Sequence, residues 1–296
     1  MPRLRTQASK NSLLRRVRRQ RLKYITILPS LITILNGVCG FTAIALAGKG
    51  ELAKACYLIF LAMIADMLDG RVARISRNTS SFGGQLDSLC DMISFGAAPA
   101  FLILKILEPK LAGLADSVFL SFLERFIWLA SAAYISCAAI RLARFNVENE
   151  EDESAHMSFI GLPTPAAAGV LVSLVLFHQE ILPQLSEKST HAYLVCENTL
   201  AYALPLLALG MAVLMVSRIR YPHILNQYIK GKKPFGHLIR ALLLLGLIFW
   251  NRQVALVLIF CSFAASGFVR WFYYRILKKE TLAVTTKNDE IATAED

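Results

Sequence analysis

Eight apolar segments constrain the fold of this chain more than any other feature of its sequence. They cover roughly residues 27–47, 53–70, 84–107, 118–141, 160–182, 194–217, 237–250 and 253–275. A helix that crosses a bilayer needs about 20 predominantly apolar residues; the seventh segment is shorter and can form a tight hairpin with the eighth. Because 55% of the 296 residues are hydrophobic, the sequence predicts an all-α polytopic membrane bundle of about eight transmembrane helices.

Lysine and arginine are distributed unevenly between the two sides of these predicted helices. With the N-terminus placed in the cytoplasm, 25 of the 32 Lys and Arg residues fall on the cytoplasmic side, as the positive-inside rule expects. This predicts that both termini are cytoplasmic. The formal net charge of +11 then indicates anionic membrane lipids as partners, and no nucleic-acid partner is expected.

Four aspartates, Asp66, Asp69, Asp87 and Asp91, lie at the edges of two adjacent apolar segments. One charge near bilayer depth costs about 2.5–3.5 kcal/mol, so four acids together indicate a site. The members of each pair are three or four residues apart and therefore share a helix face. The short connection between the two helices places both pairs at the same, cytoplasmic face. Carboxylates suit hard divalent cations, which predicts a site for one cation or for two bridged ones.

The same four acids are also compatible with two roles that need no divalent cation. Each aspartate can be a solvated residue at a helix end, or the four can bind protons or sodium in an ion-coupled transporter. Transporters usually have broken helices at the midplane and an internal repeat, and neither is clear in this sequence. The neighbouring Arg74 favours a phosphate-bearing ligand, and small residues such as Gly70 and Gly83 allow a ligand or helix to approach closely.

The stretch from Asp66 to Asp91 matches the pattern DxxDGxxARx8GxxxDxxxD at every fixed position. It resembles the CDP-alcohol phosphatidyltransferase family of integral membrane enzymes, over about residues 25–220. The resemblance implies that the four aspartates bind two divalent cations, Mg²⁺ or Mn²⁺. It also implies that Asp91 serves as the general base.

The resemblance further implies which residues contact the CDP part of the donor. These residues come from the motif and from the first helix, where Ser30 stands at a position at which the family often has asparagine. They are Gly70, Arg74, Ser80, Gly83, Ser30, Thr33 and Asn36.

Three further stretches, residues 88–101, 139–147 and 159–169, resemble the phosphatidylserine synthase branch of the family. They imply that CDP-diacylglycerol and L-serine are the substrates and that phosphatidylserine and CMP are the products. Another alcohol, such as choline, glycerol 3-phosphate or inositol phosphate, is the alternative acceptor.

Binding of serine requires groups that recognise its carboxylate and ammonium. Arg141 and Arg144 are three residues apart and can present guanidinium groups to a carboxylate, although both can equally anchor lipid phosphate. Asn146 and Ser94 complete the predicted acceptor site.

These inferences divide the chain into four regions. Residues 1–24 hold nine Lys and Arg and no acid, which predicts a basic cytoplasmic tail or surface helix. Residues 25–220 form the predicted six-helix core, 221–278 a two-helix extension and 279–296 a disordered tail. The resemblance implies a homodimer, and we expect a bacterial or archaeal plasma membrane with the active site facing the cytoplasm.

Overall fold

The computed structural model describes residues 30–76, 81–112, 118–151, 158–186, 189–222 and 251–292, and nearly all of them are helical. In chain order the helices are α1 (Ser30–Gly48), α2 (Leu52–Ser76), α3 (Ser81–Asp91), α4 (Ala98–Ala112), α5 (Val118–Glu151), α6 (Thr164–Glu180), α7 (Leu182–Ser186), α8 (Thr190–Val216) and α9 (Arg252–Ala292). One π-helical turn, Met92–Ala97, joins α3 to α4 without a break. The predicted helical bundle is therefore confirmed.

Six helical segments among the described residues are long and apolar enough to cross a membrane. They are Ser30–Gly48, Phe82–Pro109, Phe122–Val147, Thr164–Gln184, Thr190–Val216 and Arg252–Tyr273. Helix α2 has a similar length of 25 residues, but it carries too many charged residues to be counted among these apolar segments. The predicted seventh segment, residues 237–250, lies outside the described residues. The chain is an integral membrane protein, while the count of eight helices and the orientation of the termini stay predictions.

The bundle has apolar side chains both inside and outside, as a membrane protein needs, because its outer surface meets lipid rather than water. Large exposed apolar side chains include Phe41, Leu61, Trp128, Leu206 and Val213. The fully buried ones come from nearly every helix and include Ile59, Phe95, Ile103, Tyr134, Leu171 and Leu204. The Tyr134 hydroxyl donates to the Phe95 carbonyl at 2.9 Å, which ties α5 to the π-helical turn.

A short two-stranded ribbon is the exception to the all-α prediction. Strand β1 (Ser158–Ile160) pairs antiparallel with β2 (Arg220–Pro222). Gly161 follows β1 with a φ of 82°, a conformation that glycine adopts without strain, and its N–H donates to the Ile219 carbonyl at 2.8 Å. The sequence predicted the start of a helix at residue 160, but the strand continues to Ile160, the chain turns at Gly161, and α6 begins only after Pro163, at Thr164.

The ribbon holds the N-terminus of α6 beside the C-terminus of α8. This is the end of the bundle at which α2 also ends and at which the aspartates of α2 and α3 lie. The connection between α2 and α3 is shorter than the gap between the predicted segments 53–70 and 84–107, because α2 continues to Ser76 and α3 begins at Ser81.

Helix α1 packs very closely on α3 and the π-helical turn. A Cβ atom at Gly37 would lie 2.9 Å from the Cys90 sulfur, and one at Gly40 would lie 2.6 Å from the Ser94 Cα. Only glycine at these positions lets the two backbones approach so closely. This contact places the buried polar face of α1 against the aspartates.

We expect Gly40→Ala to lower the thermal stability of the detergent-solubilised protein, because the added methyl group meets the backbone of Ser94. Overpacking of this kind costs about 1–3 kcal/mol. The matched control is Gly210→Ala in α8, where a Cβ atom meets nothing within 4 Å and the gain in helix propensity is about 1 kcal/mol. Equal thermal midpoints for Gly40→Ala and the unmodified protein would contradict the close packing of α1.

Candidate active site and metal centre

Three carboxylates meet at one end of the bundle. Asp66 and Asp69 lie one helical turn apart on α2, and Asp87 comes from α3. One ligand atom from each lies within 4.8 Å of the other two. Asp69 is buried, and the other two are half-buried.

The surroundings of these carboxylates fit a divalent cation. Asp69 Oδ2 and Asp87 Oδ1 are buried, and neither has a hydrogen-bond partner in the described part of the chain. Asp69 is otherwise held by the Thr33 side chain and the Gly70 backbone amide. A buried acceptor without a partner is unfavourable by about 1–3 kcal/mol, and three neighbouring negative charges repel one another. A bound cation relieves both costs, since hard cations prefer carboxylate oxygens.

Among the predicted acceptor residues, Arg141 carries a positive charge that acts on this cluster. It is buried and interacts electrostatically with Asp66. Its Nη1 donates to Thr164 Oγ1 at 2.8 Å, and the guanidinium carbon lies 5.8 Å from the centre of the Phe145 ring. Arg141 therefore joins α5 to the start of α6 beside the carboxylates.

Asp91 stands apart from the three clustered carboxylates. It is the last residue of α3 and is buried. It interacts electrostatically with the other three aspartates. Its Oδ1 accepts a hydrogen bond of 2.8 Å from Asn36 Nδ2 on α1. The prediction that Asp91 is both a metal ligand and the general base stays a prediction, and the structure adds a buried polar partner to it.

The other predicted acceptor residues have partners within the protein. Arg144 Nη1 donates to the Val216 carbonyl, the last residue of α8, at 3.1 Å. Asn146 Oδ1 accepts from Ser88 at 3.1 Å. Ser94 is fully buried, and its hydroxyl donates to the Asn36 carbonyl at 2.8 Å. These contacts show how the three side chains join helices, and they leave the acceptor role of each as a prediction.

The predicted donor residues divide between described and undescribed positions. Thr33 and Asn36 are buried on the face of α1 that meets the aspartates. Ser30 begins α1, and Gly83 lies in the first turn of α3. Arg74 is part of α2, but its side chain lies outside the description, as does Ser80 altogether.

Two polar residues at this end of the bundle were not singled out from the sequence. Thr164 accepts the hydrogen bond of Arg141, and Ser88 joins α3 to Asn146. Both lie in stretches that carried the resemblance, but no spacing relates either to its partner, because the pairs are 23 and 58 residues apart.

Comparison with known proteins gives a consistent result. The sequence pattern of the CDP-alcohol phosphatidyltransferase family matches residues 26–216. A Helicobacter pylori protein named CDP-diacylglycerol–serine O-phosphatidyltransferase is 32% identical over 252 residues, which cover 84% of this chain and 93% of that protein.

Archaeal relatives are also similar. A Methanocaldococcus jannaschii protein with the same name is 36% identical over 69% of this chain and 78% of its own length. An archaetidylserine synthase of Methanothermobacter thermautotrophicus is 32% identical over 67% of this chain and 70% of that protein.

We expect Asp87→Asn to raise the thermal midpoint of the metal-free protein, because it removes one of three repelling charges. In the same variant the affinity for Mn²⁺ falls by at least about tenfold, so the stabilisation that Mn²⁺ gives to the folded state decreases. Thermal unfolding with and without Mn²⁺ measures both effects.

The matched control for this experiment is Glu108→Gln on α4. Glu108 is exposed and is paired with Lys105 at 2.6 Å, away from the three carboxylates. The Glu108→Gln variant should therefore show the same stabilisation by Mn²⁺ as the unmodified protein. An undiminished response to Mn²⁺ in Asp87→Asn would exclude Asp87 as a ligand.

Proposed function

This chain belongs to the CDP-alcohol phosphatidyltransferase family, and we propose that it transfers a phosphatidyl group from CDP-diacylglycerol to the hydroxyl of L-serine. The products are phosphatidylserine and CMP. The observation that carries the proposal is the convergence of three carboxylates from α2 and α3 beside a fourth, Asp91. The names of the relatives agree on serine and differ in the lipid.

The family is generally dependent on divalent cations. We assign the ligands to Asp66, Asp69 and Asp87, with Asp91 as the fourth, and expect two cations, Mg²⁺ or Mn²⁺. Two unpartnered buried oxygens, on Asp69 and Asp87, support this assignment. When bound, the cations neutralise the diphosphate of the donor and stabilise the CMP that leaves.

The side chains of the protein supply the proton transfer and the alignment of the substrates. The serine hydroxyl oxygen forms a bond to the β-phosphorus of the donor, and its proton passes to the Asp91 carboxylate. The bond between this phosphorus and the oxygen that bridges the two phosphates breaks, and CMP departs with that oxygen. Because Asp91 is buried, water is kept from competing as the acceptor.

Recognition of serine is assigned first to Arg141. This residue is buried next to Asp66, and Thr164 orients its guanidinium group. A guanidinium group can bind a carboxylate through two parallel hydrogen bonds, which favours an amino acid over choline. Arg144, Asn146 and Ser94 remain candidates of lower rank, because they bond to Val216, Ser88 and Asn36, whereas Arg141 interacts with a carboxylate of the cluster.

The membrane setting follows from the same assignment. CDP-diacylglycerol and its product are lipids, so the site is open to one leaflet, and the Lys and Arg distribution favours the cytoplasmic one. We propose a bacterial or archaeal plasma membrane, a homodimer and the four-region division, in which α9 continues from the two-helix extension to Ala292 in the region predicted as a tail. The match to residues 26–216 supports a catalytic core within 25–220.

We expect purified protein with CDP-diacylglycerol and Mn²⁺ to release CMP when L-serine is added. Choline, glycerol 3-phosphate and inositol phosphate should give none. Asp91→Asn serves as the inactive control, since it lacks the base. Release of CMP with another alcohol but not with serine would show that the other alcohol is the acceptor. If folded protein released no CMP with any alcohol, the proposed reaction would be wrong, and ion-coupled transport would be the role to test for the acids.

Arg141→Lys keeps the positive charge but cannot form two parallel hydrogen bonds to a carboxylate. We expect it to raise the KM for serine by about tenfold, equivalent to one lost charge-assisted hydrogen bond, and to change the KM for the donor much less. Arg144→Ala should mainly lower thermal stability, because it frees the Val216 carbonyl. A larger rise in the serine KM for Arg144→Ala than for Arg141→Lys would reverse the assignment.

A further inference from the structure

The side chains of Asn36 and Asp91 form a buried hydrogen bond that a contact with the donor would not explain. Asn36 lies on the first helix and is fully buried. Its Nδ2 donates to Asp91 Oδ1 over 2.8 Å, although the two residues are 55 positions apart. In the described part of the chain, Asn36 Oδ1 has no hydrogen-bond partner. A buried asparagine that only filled space would be unfavourable with half of its amide unsatisfied.

The backbone on both sides of this contact is held in place. The Ser94 hydroxyl donates to the Asn36 carbonyl at 2.8 Å. A Cβ atom at the next residue, Gly37, would lie 2.9 Å from the sulfur of Cys90, which directly precedes Asp91. The amide of Asn36 therefore approaches Asp91 from a rigid position, where α3 passes into the π-helical turn.

A hydrogen bond to one carboxylate oxygen matters because the last side-chain torsion of aspartate has a broad distribution of allowed angles. Without a partner, the carboxylate plane can rotate, and the oxygen that accepts a proton is not fixed. With Oδ1 held by Asn36, the plane of the carboxylate is set, and the positions of both of its oxygens are fixed relative to the acceptor. General-base catalysis depends on such placement, and a displacement of about 1 Å can reduce a rate about a hundredfold.

We infer that Asn36 is a positioning residue, whose side-chain amide orients the Asp91 carboxylate for proton abstraction from the acceptor alcohol. This rests on the proposed function, because it takes Asp91 to be the base. It replaces the role in CDP binding that the sequence predicts for Asn36. The two roles differ in what they change: orientation of the base affects kcat, whereas a donor contact affects the KM and the binding of the donor.

The experiment compares Asn36→Leu with the unmodified full-length protein, using CDP-diacylglycerol, Mn²⁺ and the acceptor that the unmodified protein uses. Leucine has nearly the same size and no polar atoms. We expect kcat to fall by about 10- to 100-fold, while the KM values for donor and acceptor change less than about threefold. Equilibrium binding of CDP-diacylglycerol in the presence of Mn²⁺ should stay unchanged, and this readout does not depend on turnover.

Thr42→Val on the same helix is the matched control. It also replaces a polar side chain by an apolar one, but the Thr42 hydroxyl donates only to the Val38 carbonyl of its own helix. It should keep the unmodified kcat. If Asn36→Leu unfolds, as judged by its thermal midpoint, Asn36→Ala is measured in the same way and is expected to show the same loss of kcat.

Two results would overturn the inference. An unmodified kcat in a folded Asn36 variant would show that Asp91 needs no such partner. A loss of donor binding, with a raised donor KM, would return Asn36 to the CDP site. Failure of the proposed function is separate, because the unmodified protein would then release no CMP from CDP-diacylglycerol and serine.

Discussion

Repulsion among carboxylates at one end of an apolar bundle is the constraint on which the rest of the structure depends. The ligand atoms of three of these carboxylates lie within 4.8 Å of one another, and two like charges at such a distance repel by about 3 kcal/mol or more at an effective dielectric constant of 20. The positive charge of Arg141 stabilises the Asp66 carboxylate, and a hydrogen bond from the Thr33 side chain stabilises that of Asp69. Asn36 does the same at Asp91. Each of the three comes from a helix other than that of its aspartate, so the bundle must form before the acids can be held together.

The part of the site that depends on helical periodicity was predictable from the sequence. Spacings of three and four residues place Asp66 with Asp69, and Asp87 with Asp91, on single helix faces. Two consecutive helices with a short connection then bring both pairs to one end of the bundle. The segment lengths predicted most of the helices in the same way. Where a prediction was wrong, as at residues 160–163, a proline and a strand pairing distant in sequence prevailed over apolar composition.

The contacts that orient the site could not be predicted, because they join residues with no regular spacing. Asn36 and Asp91 are 55 positions apart, and Arg144 and Val216 are 72 apart. The resemblance to the family assigned Asn36 to the donor, together with Ser30 and Thr33 of the same helix. The close approach at Gly37 and Gly40 brings the side-chain amide of Asn36 to Asp91. This approach depends on how two helices fit together, and neither helix carries a sequence pattern that predicts it.

The residues that we propose for phosphoryl transfer and the two that we propose first for choice of the acceptor lie on different helices. The aspartates lie on α2 and α3, within one continuous motif. Arg141 and Thr164 lie on α5 and α6, and the ribbon of β1 and β2 holds the start of α6 in place. On this proposal, substitutions at Arg141 and Thr164 can change the choice of acceptor without altering any residue of the aspartate motif. For this reason the motif predicts the reaction, and the acceptor must be inferred from how later helices pack against it.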